Sequence, residues 1–251
     1  MIDFRQGIGQ RLLKLATLAA AISLSACSQF SDERAEARRT LQHALAAAEK
    51  ADGPWARFEI LERADTQVSR LCEPESRYSA GPCGGMPEEN KVRELLAQNL
   101  KAAVDANAPG AIVRVLTWHY RHPLAPLASH KVLALADGPS VGPPHERAIL
   151  WLAGREIAKG EVVIANANKA LALFARAAAL GEHQAAGDAA RMLLKMNDPR
   201  NAYLWSLRCI APCQRTSEIE LDRLQERMSP AAALQTQAIA QDFTVLELDL
   251  Q

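Results

Sequence analysis

Apolar residues recur every three to four positions along most of this chain, and prolines and glycines interrupt the rhythm at intervals. That period is the mark of helices with one apolar stripe. Read between the interruptions, it predicts helices over Asp32–Ala51, Pro54–Leu71, Pro87–Ala106, Ala111–Tyr120, Leu124–Ala136, Pro144–Lys159, Asn168–Leu180, Glu182–Met196, Pro199–Ile210, Glu218–Met228 and Pro230–Gln241. Starts and stops are legible too. Asp198–Pro199 and Ser229–Pro230 each set a capping side chain before a proline at the first helical position. Gly160 and Gly181 suit the left-handed residue that follows a helix. The run "EVVIA", Glu161–Ala165, is too short and too isolated for a sheet. The expected fold class is all-α.

The helices come in pairs, and one pair repeats. Gly154 and Ala190 stand 36 residues apart. From Gly154, Ile157, Gly160, Val163, Asn166, Lys169–Ala170, Phe174, Ala177–Ala178 and Gly181 follow at fixed offsets. After Ala190 the next loop is four residues shorter, and then "DPRNAYLWSLRC" runs in phase with "NANKALALFARA". Asp198 aligns with Asn166, Ala202 with Ala170, Trp205 with Leu173 and Cys209 with Ala177. Self-similarity at this period marks a repeat architecture.

The pattern resembles the SEL-one-like repeat, a 36-residue helix–turn–helix relative of the tetratricopeptide repeat. Glu146–Gly181 follows it well, with Ile149, Ala153, Ile157 and Val162 replacing family residues. Glu182–Ile210 is a shorter second copy, departing at Ala190 and Leu193. An earlier copy starts near Gly110–Tyr120 without a recognisable second half. The resemblance implies a right-handed α-solenoid over 107–251, closed by a C-terminal pair of capping helices, behind an N-terminal helical region over 32–106. In that frame "LFARAAALG", Leu173–Gly181, is the second helix of a repeat. Ala177 and Ala178 fall where it crosses its neighbours, and Gly181 ends it.

The first 26 residues read as a leader. Arg5, Arg11 and Lys14 precede the apolar core Leu15–Ser25, which at eleven residues is too short to span a bilayer. The segment ends in "LSAC", Leu24–Cys27, which resembles the bacterial lipobox. The resemblance implies that Cys27 is lipidated and becomes the mature N-terminus, with residues 27–31 as a tether. Ser28 stands where that class carries an aspartate for inner-membrane retention, so the outer membrane, facing the periplasm, is the expected location. Loss of Asp3, Arg5, Arg11 and Lys14 takes the 29 basic and 29 acidic residues to 26 and 28, a net charge of −2. That charge gives no footprint for nucleic acid.

An exported chain meets an oxidising compartment, so the four remaining cysteines, Cys72, Cys83, Cys209 and Cys213, suggest disulfides. Three connectivities are open. Cys72–Cys83 encloses a turn-rich loop, and closing it would stabilise by about 3 kcal/mol. Cys209–Cys213 brackets the helix-ending Pro212.

Catalytic motifs are incomplete. "HERAI", His145–Ile149, lacks the second histidine of a zincin helix. His119 and His122, spaced i, i+3, lack a further ligand nearby. "GPCGGMP", Gly81–Pro87, has no phosphate-loop lysine, and S-x-x-K does not occur. No cofactor or metal is expected. Binding is the expected function, through the extended concave face of a solenoid. The register stacks Arg155 with Arg191 and Arg147 with His183, with Trp151 between Arg147 and Arg155. That basic–aromatic stripe suits an acidic peptide or a polysaccharide in an envelope assembly such as a secretion apparatus. The competing reading is an exported hydrolase or binder of β-lactams or cell-wall fragments, to which some cysteine-rich proteins of this family have been linked.

Overall fold

The computed structural model describes residues 32–72, 85–118, 122–209, 221–242 and 244–246. The expected leader and tether, with Cys27, lie outside those residues, as do His119, Cys83 and Cys213. Eleven helices and no strand occur among the described residues. They are α1 (residues 32–50), α2 (Gly53–Leu71), α3 (Pro87–Asp105), α4 (Pro109–Thr117), α5 (Ala125–Asp137), α6 (His145–Lys159), α7 (Ala167–Ala179), α8 (His183–Lys195), α9 (Pro199–Leu207), α10 (Leu221–Glu226) and α11 (Pro230–Ile239). The chain divides into two compact units between Ala103 and Val104, in the last turn of α3.

The first unit is built on α1, α2 and most of α3. Its core contains Ala37, Leu41, Ala44 and Ala48 from α1, Leu61, Ala64 and Val68 from α2, and Met86 and Val92 at the start of α3. The α1 set recurs at i, i+4, i+7 and i+11, which keeps one stripe of the helix on its neighbours. Glu88 accepts from Gln42 at 3.2 Å and pairs with Arg38 at 3.4 Å, tying α3 to α1 at the surface.

In the second unit each helix from α4 to α9 packs on the next, α4 and α8 both also touch α6, and α10 and α11 close on α9. This is the neighbour-on-neighbour arrangement that a helical repeat makes. Asn166, Asp198 and Ser229 cap α7, α9 and α11 by accepting the N–H of Lys169, Asn201 and Ala232. Gly181 closes α7 at φ 89°, with its own N–H on Ala178 O and that of Glu182 on Ala177 O, both 2.9 Å. Asn197 does the same for α8 at φ 60°, through Leu194 O at 3.0 Å and Leu193 O at 2.9 Å. Asparagine reaches the left-handed region more readily than other side chains, so it can replace glycine at this position.

The alanines of α7 split. Ala177 is fully buried, whereas Ala178 is only half-buried and does not share the crossing expected of both. The tightest point lies one turn earlier. A Cβ on Gly154 of α6 would stand 2.7 Å from Phe174 Cε1 and 3.3 Å from Ala170 O, so the bare glycine lets α6 and α7 close over a buried ring.

One contact of α5 is unlike those of a regular helical stack. Lys169, in the first turn of α7, donates to Asp137 at the end of α5 at 3.0 Å. In a regular stack the end of one second helix and the start of the next lie on opposite edges, and a 13-residue helix such as α5 is about 20 Å long. The ion pair instead brings the end of α5 to the start of α7.

Candidate functional site

The face shared by α6 and α8 gathers most of the expected stripe. Trp151 and Arg155 are one turn apart on α6, and Arg191 lies on α8. They converge on Asp188, a residue the sequence reading passed over. The Trp151 indole N–H donates to Asp188 Oδ2 at 2.7 Å, and Arg155 Nε stands 3.7 Å from the same oxygen. Arg191 donates to the other oxygen, Oδ1, from one turn along its own helix. The Arg155 guanidinium also lies over the Trp151 ring, 5.1 Å from its centre. These contacts, with Arg147 close to Gly181, show α6 and α8 side by side and running the same way.

Three stripe residues, Trp151, Arg147 and His183, do not together present the open face expected of them. Trp151 is buried, at 8 % exposure, so it is an anchor for Asp188 and presents no open aromatic face. Arg147 is exposed at the opposite end of α6, its Nη1 3.8 Å from where a Cβ on Gly181 would be. His183 is exposed as the first residue of α8. Asp188 carried one local signal, its i, i+3 spacing to Arg191. Its partnership with α6 had none.

The chemistry of the cluster is simple. One carboxylate lies between two guanidiniums, so the face keeps one surplus positive charge. The side chains of Arg155 and Arg191 are 35 % and 41 % exposed, against 17 % for Asp188. Water screens pairs of this exposure, and each is worth under about 1 kcal/mol to stability. The same exposure leaves both planar forks within reach of a second carboxylate, which such forks take by paired hydrogen bonds.

His122 lies outside any helix, and its expected partner His119 is not among the described residues. α4 ends at Thr117, and Trp118 is already extended at φ −63° and ψ 133°. The Trp118 ring is covered by the Arg114 guanidinium at 4.7 Å and stacks with His122 at 5.3 Å. His122 Nδ1 accepts the Leu124 N–H at 3.2 Å, and burial lowers its pKa, favouring the neutral ring. Among the described residues no group of three His, Cys, Asp or Glu side chains is placed to hold a metal. Cys72 and Cys209 are each disulfide-bonded. No described helix is long and apolar enough to cross a membrane.

No protein-family model, curated protein or solved structure matches this chain.

Proposed function

We propose that this protein is a non-catalytic scaffold of the bacterial envelope, a right-handed α-solenoid that takes a carboxylate-bearing partner on the α6–α8 face. The observation that carries the reading is the pair of guanidiniums from adjacent parallel helices sharing one carboxylate. An acidic segment of a protein fits that chemistry best, and a uronate polysaccharide offers the same group. The disulfides of Cys72 and Cys209 are assigned to Cys83 and Cys213, each closing a short loop.

Replacing Arg155 and Arg191 together with alanine removes both forks and leaves Asp188 its indole donor. Partner capture from a native envelope extract should fall about tenfold or more, since a hydrogen bond to a charged group is worth about 1.5–3 kcal/mol. Stability should move by no more than about 1 kcal/mol for each ion pair removed. A double variant that recovers every wild-type partner at wild-type yield sinks the reading.

The anchor is tested separately. Cys27→Ser should leave an unprocessed or soluble form, because one lipid chain holds a protein only marginally and stable anchoring takes more than one. Persistence of a variant already cleaved of its first 26 residues in the membrane fraction after a high-salt wash would remove Cys27 from the account.

A further inference from the structure

A second concentration of buried polar chemistry lies at the end of α9, away from the α6–α8 face. Trp205 is fully buried there, and Arg208, just past the helix, is 5 % exposed. The guanidinium stacks on the indole, 4.6 Å from the ring centre. Burial lowers the Arg208 pKa to about 10, with Asp242 opposing the shift, so the group stays charged at neutral pH. A buried cation of this kind requires acceptors. Arg208 finds them in the chain's own C-terminal segment. Its Nε donates to Ala240 O at 3.0 Å, and its Nη2 to Asp242 O at 2.6 Å and Val245 O at 2.7 Å. Trp205 Nε1 donates to Leu246 O at 3.0 Å.

All four acceptors are main-chain carbonyls. The segment is shaped by a turn of its own: Asp242 Oδ1 accepts from Thr244 N at 2.9 Å and from Thr244 Oγ1 at 2.6 Å, and Val245 N bonds Asp242 O at 3.3 Å. The side chains of Asp242 and Thr244 make the turn, and the turn presents two carbonyls to one guanidinium nitrogen. The receptor side chains are buried, whereas their occupant lies beyond the last described helix. This is how a peptide ligand is bound, with the ligand here tethered to its own receptor.

We propose that Trp205 and Arg208 form a peptide-docking slot for a segment folding an Asp-x-Thr turn, and that residues 240–242 and 244–246 are its intramolecular occupant. A tethered occupant acts at an effective concentration in the millimolar range, so a free peptide competes poorly until the tethered turn is weakened. The slot is independent of the acidic-partner site.

The test uses the full chain with Asp242→Ala and Thr244→Ala, two exposed positions. A synthetic peptide with the native sequence of residues 239–248 is titrated in, and the Trp205 indole N–H resonance is followed. The double variant should saturate at a peptide concentration about tenfold or more below that needed by the unaltered chain. Adding Arg208→Lys, which keeps the charge and loses the fork, should abolish that gain, and a peptide with alanine in place of its aspartate should bind more weakly. Equal binding by the unaltered and double-variant chains, or indifference to Arg208→Lys or to the altered peptide, overturns the proposal. If the double variant loses its cooperative unfolding transition, the peptide must restore it; failure to do so makes the segment an inseparable part of the fold and also overturns the proposal.

Discussion

Phe174→Ala should destabilise the second unit by about 3–5 kcal/mol, the usual range for emptying a buried aromatic site. Phe174 is fully enclosed, and its ring edge fills the space that Gly154 leaves on α6. The converse change acts on the same contact. Gly154→Val puts a Cβ 2.7 and 2.8 Å from two ring carbons and 3.3 Å from a backbone oxygen. A ring with no exposed surface has nowhere to swing, so the two helices must part, at about 1–3 kcal/mol or more. The two sites should therefore couple. Gly154→Ala combined with Phe174→Leu should be more stable than the sum of the single changes predicts, by about 0.5–3 kcal/mol. Denaturant midpoints of the two singles and the double measure this. Additive effects, or a loss below about 1 kcal/mol for Phe174→Ala, would mean that the ring does not sit between α6 and α7.

Trp205→Ala should cost about 3–5 kcal/mol through the lost ring volume. The loss has a second part, because the ring also supports the buried Arg208 guanidinium and bonds Leu246 O. Trp205→Phe separates the parts. It keeps an aromatic ring under the guanidinium and removes the indole donor, so it should cost less than the alanine change, leaving a lost hydrogen bond of about 0.5–1.5 kcal/mol and a small packing defect. Hydrogen exchange adds a local readout: in Trp205→Phe the amides after α11 should lose protection before those of α9. Equal losses for the two variants would show that the N–H, and not the ring, holds this end of the molecule.

Both contacts bear on how much of the protein could be read in advance. Helix positions were legible because the signals that set them are local. Periodic apolar residues, Asp198 and Ser229 before their prolines, and Gly181 after α7 act within a turn of where they stand. Gly154 and Phe174 were both in the repeat register, yet the register alone does not say that one fills the other. Trp118, Arg208 and Cys209, expected within helices, lie past the ends of α4 and α9. Trp118 leaves the helix where its ring meets Arg114 and His122, and the helical repeat in residues 118–120 carries no sign of that.

The candidate site divides along the same line. Arg155 and Arg191 were paired by their 36-residue spacing, and the parallel course of α6 and α8 brings them together. Asp188 between them escaped notice. Its partners on α6 lie 33 and 37 residues away, and no pattern in a single sequence records a carboxylate turned toward another helix. The Asp137–Lys169 pair, 32 residues apart, is of the same kind. By itself, then, the sequence determined which segments are helical and where most of them are capped, because backbone hydrogen bonds, periodic burial and capping side chains are settled among near neighbours. Tertiary structure decided which charges neutralise one another, where the end of α5 meets α7, and what Arg208 holds. Those outcomes depend on desolvation and distance between residues remote in the chain, quantities that exist only once the helices are packed.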